Sequence, residues 1–224
     1  MEIEIIAHIH TDFENKFGLP RQSGLVESLM GEIVFEPKYR NPDAVRGLEG
    51  FSHLWLIWEF SKAKRDGWSA TVRPPRLGGN ERMGVFATRS PFRPNPLGLS
   101  CVKLEKVEID AVRGPVITVS GIDMLDGTPI YDIKPYVPHA DLRAEAVGGF
   151  ADAHRDDKVE VVFPEELLAR VPEGKREALI GVLAGDPRPS YQDDPERIYG
   201  FGFAGIEVKF RVSAGVLTVT DIIA

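Results

Sequence analysis

The chain has a single cysteine, Cys101, among 224 residues, so no internal disulfide can form. That cysteine usage fits a reducing compartment. Long apolar runs are missing too. The best, WLIW inside FSHLWLIWEF (51–60), falls far short of the roughly 20 residues a membrane-spanning helix needs. The opening MEIEII carries Glu2 and Glu4 where a secretory leader needs lysine or arginine. The expectation is a soluble, cytoplasmic protein with no membrane partner. There is no repeat, no low-complexity tract and no G-x-S-x-G or paired Cys/His signature, so covalent catalysis has no support. Histidine is scarce at five residues. His8 and His10 share one face of a strand-like segment, but no further histidine lies at local ligand spacing, and no metal is expected.

Positive charge is in deficit as well, with a net −7, which argues against a nucleic-acid partner. Its distribution argues otherwise. Residues 71–100 hold five arginines (Arg73, Arg76, Arg82, Arg89, Arg93) against one acid, Glu81, leaving −11 for the rest of the chain. Local clustering decides where an anion binds. The absence of lysine from that stretch points to fork-shaped recognition of carboxylate or phosphate.

What is present is mostly strand-like. Residues 1–10, GEIVFEP (31–37), FSHLWLIWEF (51–60), RMGVFATR (82–89), LSCVKLEKVEI (99–109) and VITVSGI (116–122) are apolar runs bounded by turn formers. Trp55, Trp58 and Phe60 read as core, and His53 as a hydrogen-bonded residue beside it. Many short strands with turns between them predict a mainly β fold, a barrel or sandwich. After residue 140 the character changes. FPEELLARV and EGKREALIGVLAGD read as helices, the second burying Ala178, Leu179, Val182 and Leu183 and stopping at Gly185. GIEVKFRV and GVLTVTDIIA read as strands. The expected organisation is a β-barrel-like domain over 1–150 and a small α+β domain over 151–224. GFGFAG (200–205) matches G-x-G-x-x-G, yet lacks a strand before it and a helix after it. It reads as glycine-rich entry to a strand, and the fold is not Rossmann.

Three polar clusters interrupt this pattern. In ATRSPFRPNPLGLS (87–100), Pro91, Pro94 and Pro96 fix their own backbone and restrict Ser90, Arg93 and Asn95 before them. Such a loop presents Arg89, Arg93 and Asn95 at low entropic cost. Gly98 lets another group approach the backbone. In SGIDMLDGTPIYDIKPY (120–136), Asp126-Gly127 makes a turn, while Asp132 and Lys134 share a strand face as an ion pair or site wall. Gly18-Leu19-Pro20-Arg21-Gln22 is the third.

Together PRQSGLVES, AVRGLEGFSHLWLIW, TVRPPRLGGNERMGVFATRSPFRPNPLGLS, DMLDGTPIYDIKPYVP and GDPRPSY resemble the TsaA-like, or TrmO, family, from about residue 5 to 212. The resemblance implies an S-adenosylmethionine-dependent tRNA methyltransferase. Such enzymes modify N6 of threonylcarbamoyl-adenosine at position 37, in the anticodon loop, and are homodimers with a β-barrel-like fold. By match to the family's motifs, Pro20, Arg21, Gln22, Ser61, Lys62, Arg89, Leu99, Ser120, Gly121, Ile122 and Asp123 hold the cofactor. A general base, where one is used, falls to Asp126 or Asp132. Arg73, Arg76 and Arg82 are placed for RNA phosphates. Arg93, Asn95 and Lys134 are further substrate contacts, with Arg188 and Tyr191 helping to close the site. Two other readings stay open at this point. One keeps the cofactor but changes the acceptor to another RNA or a small molecule; the other is a non-catalytic binding module.

Overall fold

A computed structural model describes residues 2–63, 67–74, 81–154, 157–188 and 194–224. Six antiparallel strands close a barrel: β1 (Ala7–Thr11), β2 (Met30–Phe35), β3 (His53–Glu59), β6 (Leu97–Asp110), β7 (Gly114–Ser120) and β8 (Thr128–Pro135). Their order around the barrel is β1-β2-β7-β6-β3-β8. The mainly β, non-Rossmann expectation holds. Between β3 and β6 lies a two-stranded ribbon, β4 (Thr71–Val72) with β5 (Met83–Gly84).

Alternation along each strand sorts its side chains, as the period of two requires. In β3, Leu54, Leu56 and Trp58 point inward and are buried, while Trp55, Ile57 and Glu59 stay on the outer face. Trp55 is therefore not core, in contrast to the expectation for the tryptophans together; its indole N–H instead donates to Asp141 Oδ2 at 3.2 Å. Gly31 in β2 lets the side chain of Ile9 lie close over the strand. A Cβ there would meet Ile9 at 2.9 Å and Ile122 at 3.3 Å.

Two expected strands change shape. The N-terminal strand begins only at Ala7. RMGVFATR keeps two strand residues and then turns over Val85–Ala87. The reason is local: the backbone N–H and hydroxyl of Thr88 both bond the carbonyl of Val85, at 3.2 and 2.9 Å. A threonine that offers the backbone this alternative competes with the strand ladder.

A second sheet, ordered β10-β11-β12-β9, contains β9 (Glu160–Val162), β10 (Tyr199–Phe203), β11 (Ile206–Ser213) and β12 (Val216–Ile223). GFGFAG is itself strand β10 and its turn, not merely the entry to a strand. Of the helices, α1 (Pro138–Asp141) and α2 (Glu165–Leu168) are single turns, and α3 (Arg176–Ala184) buries the four expected apolar residues and is capped at Gly185. Among the described residues no helix is long and apolar enough to cross a membrane.

The two sheets share one continuous cluster of buried side chains. The segment after β1 supplies the junction. Phe13 packs on Phe203 with ring centroids 5.3 Å apart, and Phe17 stacks on Tyr199 and Phe210, each at 6.5 Å. Lys175 Nζ reaches Asp12 Oδ2 at 2.5 Å. This junction matters because the same segment runs directly into Pro20-Arg21-Gln22.

Candidate cofactor and substrate site

Strand β6 is twice as long as its hairpin partner. It has 14 residues against 7 in β7, and their pairing stops at Lys103 opposite Ser120. The first half of β6 thus has β3 on one side and, among the described residues, no ladder on the other. Across that gap lies the loop that follows the Phe17 junction. Ser23 Oγ accepts the backbone N–H of Cys101 at 3.2 Å, and Gly24 N donates to the carbonyl of Gly121 at 2.8 Å. Residues 20–24, 99–101 and 120–123 are so brought to one edge.

The chain turns sharply there because Gly121 adopts a φ of +73°. That left-handed conformation costs glycine no Cβ clash. Ser120 and Ile122 are both buried, and the Ser120 hydroxyl donates to Glu105 Oε1 at 2.6 Å. Their side chains are committed to the protein, so this turn can offer a ligand its backbone and the carboxyl of Asp123. By strand alternation the backbone of Leu99 points to the same side as that of Cys101, toward the loop.

Arg89 joins this edge from the proline-rich loop by donating from Nη1 to Gln22 Oε1. Gln22 Nε2 in turn donates to the carbonyl of Arg21 at 2.5 Å. Arg21 and Arg89 are exposed. Asp123 lies under the positive field of Arg89. Burial nevertheless pushes its carboxyl above the ordinary carboxylate range, against the opposing pull of a hydrogen bond from Ser100, backbone N–H groups and Arg89. Lys62, on the turn Ser61–Ala63 after β3, donates from Nζ to the carbonyl of Glu14 at 2.9 Å. It braces the loop from behind.

Three residues here escaped sequence reasoning: Ser23, Ser100 and Trp58. Trp58 Nε1 donates to Ser100 Oγ at 2.9 Å, and Ser100 Oγ donates to Asp123 Oδ1 at 2.6 Å. The signal was a serine at an inward-facing strand position between Gly98 and Val102, because a buried hydroxyl must find a partner. Gly98 admits the ring of Trp58, which would collide with any Cβ there. The close approach expected at this glycine is real, and the approaching group belongs to the core.

The remaining candidates spread over the molecule. Asp126 Oδ1 accepts the backbone N–H of Thr11 at 3.1 Å and lies 3.2 Å from His10 Nδ1. Asp132 Oδ2 pairs with Lys134 Nζ at 2.9 Å on the outer face of β8, the expected ion pair. Arg93 turns back and donates to the carbonyl of Thr88 at 3.1 Å, bracing its own loop, while Asn95 is exposed. Arg73 and Arg82 flank the ribbon and are exposed, with Arg82 Nη1 donating to Thr71 Oγ1 at 3.3 Å. Arg188 is largely enclosed, and its guanidinium makes two hydrogen bonds to Asp186, at 3.0 and 2.9 Å. Arg76 and Tyr191 lie outside the described residues. His8 Nδ1 pairs with Glu36 Oε1 at 2.9 Å, and among the described residues no group of three or more His, Cys, Asp or Glu is placed to hold a metal.

The donor set at the edge of β6 fits an amino-acid nucleoside. Two exposed arginines suit a carboxylate, a half-buried carboxyl suits an ammonium or ribose hydroxyls, and unladdered backbone suits a base edge.

Comparison with known proteins gives the family. The profile described as the tRNA-methyltransferase O N-terminal domain matches residues 8–142, and that of the TrmO C-terminal domain matches residues 156–224. A tRNA (adenine(37)-N6)-methyltransferase of Escherichia coli (strain K12) is 41% identical over 222 residues, covering 95% of this chain and 93% of the relative. A protein of the same name from Eikenella corrodens is 46% identical, covering 78% of this chain and 98% of the relative. A crystal structure of TrmO superposes with a TM-score of 0.81 at 34% identity, covering 100% of this chain and 99% of that one. The TrmO structure from Pseudomonas aeruginosa gives 0.79 at 33% identity, covering 100% and 99%. With both profiles matched along nearly its whole length, the chain belongs to the tRNA-methyltransferase O family.

Proposed function

We propose that this protein is an S-adenosylmethionine-dependent tRNA methyltransferase acting on N6 of adenine 37, and that the acceptor is the threonylcarbamoyl form of that nucleoside. The observation that carries the reading is the convergence of three clusters distant in sequence, Arg21–Ser23, Arg89 and Gly121–Asp123, on the open edge of β6. When bound, S-adenosylmethionine supplies an electrophilic methyl group on a sulfonium.

The chain's own part is binding and alignment. Arg21 and Arg89 hold the carboxylate, with Gln22 fixing the Arg89 guanidinium. Pro20 shapes the loop, and Ser61 and Lys62 support it. The backbone of Leu99 and of Ser120 to Ile122 receives the nucleoside, and Asp123 takes its polar hydrogens. Phe92 offers a ring face to the sulfonium. Fixing donor and acceptor in line is worth about 7–11 kcal/mol, so a strong base is not required. Asp126 or Asp132 accepts the N6 proton.

The acceptor base is presented from the single-stranded anticodon loop, where its edge and face are open to protein. Exposed Arg73 and Arg82, together with Arg76, contact RNA phosphates. Asn95 and Lys134 are further substrate contacts, Arg93 braces the loop that presents Asn95, and Arg188 and Tyr191 help to close the site. We propose further that the chain works as a cytoplasmic homodimer. Its division near residue 150 separates a catalytic barrel from a unit that holds the cofactor loop in place through Phe13 and Phe17.

The test is mass spectrometry of tRNA nucleosides after incubation with labelled S-adenosylmethionine and tRNA bearing threonylcarbamoyl-adenosine. Label on that nucleoside, lost with Arg89→Ala, is expected. Label on unmodified adenosine 37 alone would overturn the choice of acceptor. No label, with cofactor binding intact, would overturn the tRNA reading.

A further inference from the structure

Two large aromatic rings stand in solvent on the ribbon beside the site. Trp68 is 53% exposed and Phe86 is 71% exposed, yet they stack on one another, with centroids 6.1 Å apart and planes 23° from parallel. Both are held by backbone bonds. Ser69 N donates to the carbonyl of Phe92 at 3.1 Å, Val85 N donates to that of Ala70 at 3.0 Å, and Thr71 and Val72 pair with Gly84 and Met83. The pair is therefore displayed by a fixed scaffold, and that scaffold is tied to the same proline-rich loop that carries Arg89.

Its surroundings identify the ligand. Arg73 and Arg82 are exposed at the ends of the two ribbon strands. This stretch of sequence is the one region of concentrated positive charge on an otherwise acidic chain. An apolar protein partner would call for an apolar rim. An exposed aromatic pair at one end of a ribbon whose other end carries two exposed arginines instead matches single-stranded nucleic acid, whose bases offer π-faces and whose backbone offers phosphates. We infer that Trp68 and Phe86 form a stacking platform for an unpaired nucleobase of the RNA acceptor, flanking the base that is methylated. The inference rests on the RNA reading of the site and adds a contact that places the loop relative to Arg89.

The first measurement is intrinsic fluorescence during titration with an anticodon stem-loop oligonucleotide. Stacking on Trp68 quenches emission in the wild type and not in Trp68→Phe, which retains Trp55 and Trp58. The second is steady-state methylation. A Trp68→Ala/Phe86→Ala double variant is expected to raise the KM for tRNA about 5- to 150-fold, the effect of one to a few kcal/mol of stacking. It should keep kcat within about two-fold and leave S-adenosylmethionine affinity unchanged, and Trp68→Phe should restore most of the KM. An unchanged KM overturns the inference, as does tRNA binding without quenching. Loss of cofactor affinity would make the pair structural, and a changed oligomeric state would make it a subunit interface; either overturns it. Quenching without methyl transfer would sink the proposed reaction and leave the platform standing. Methyl transfer without quenching would do the reverse.

Discussion

Ser100 donates its hydroxyl proton to Asp123 Oδ1 at 2.6 Å while its oxygen accepts the indole N–H of Trp58 at 2.9 Å. One buried serine thus links the barrel core to the carboxyl at the candidate site. Replacing it by alanine leaves the Trp58 indole N–H without its acceptor and takes one hydrogen bond from Asp123, which keeps its backbone donors. Ser100→Ala is expected to lower stability by about 1–3 kcal/mol, the cost of leaving a buried donor unpaired. It should also weaken S-adenosylmethionine binding, because Asp123 loses its fixed orientation. Urea denaturation and calorimetric titration measure the two effects separately.

Arg89 is expected to dominate cofactor affinity. A hydrogen bond to a charged group contributes about 1.5–3 kcal/mol, so Arg89→Ala should weaken binding by roughly 10- to 150-fold. Arg89→Lys should recover little of this. An ammonium cannot hold Gln22 and a carboxylate at once in the guanidinium's planar geometry. Affinity restored fully by lysine would show that the site uses charge alone.

The raised Asp123 carboxyl has a consequence for stability against pH. In the folded state it binds its proton more tightly than in the unfolded chain, whose ordinary value is 3.8. Its favourable contribution is therefore complete below that value and is lost as pH rises through the higher folded value. Asp123→Asn removes this loss, so its stability relative to the wild type should grow across that window and then level off. Cofactor affinity should fall in the same variant. A pH series of denaturation midpoints showing a constant difference would refute the assignment.

The junction between the sheets should control the cofactor loop from a distance. Gly18 has a φ of +89°, and a Cβ there would meet the ring of Phe201 at 2.5 Å. Gly18→Ala combines backbone strain with a collision. Phe17→Ala removes stacking on Tyr199 and Phe210 and is expected to destabilise by about 3 kcal/mol. Both variants should weaken S-adenosylmethionine binding although neither residue is proposed to touch it. Unchanged affinity in a variant that remains folded would show that the second sheet does not position the loop.

Gly98→Ala tests the core beneath the site. The ring of Trp58 occupies the space that the added methyl needs, so the indole must move and its hydrogen bond to Ser100 must break. Overpacking of this kind costs about 1–3 kcal/mol. Near-ultraviolet circular dichroism should report the displaced indole directly.

The sequence by itself made most of the strands legible and sorted their residues into two faces, because a period of two is a local property. Leu54, Leu56 and Trp58 in β3 follow it, as do the four buried residues of α3 at helical spacing. It also determined that 87–100 is a stiff, arginine-bearing loop, since proline restricts its own backbone and its neighbour's without help from the fold. Family membership was legible in the same way, from motifs that are contiguous in the chain. Periodicity, by contrast, names a face and not a partner. That Trp55 lies outside the barrel while Trp58 lies inside followed from the register of β3 against β6 and β8. RMGVFATR became a turn because Thr88 found the Val85 carbonyl. Tertiary structure alone decided that β6 outruns β7, and that Ser23, Arg89 and Asp123 meet at the exposed half. Those residues are separated by tens of positions and are joined only by strand pairings and loop contacts between distant segments. A single chain read in order does not encode such a meeting locally; it arises when burial of the barrel core fixes every register at once.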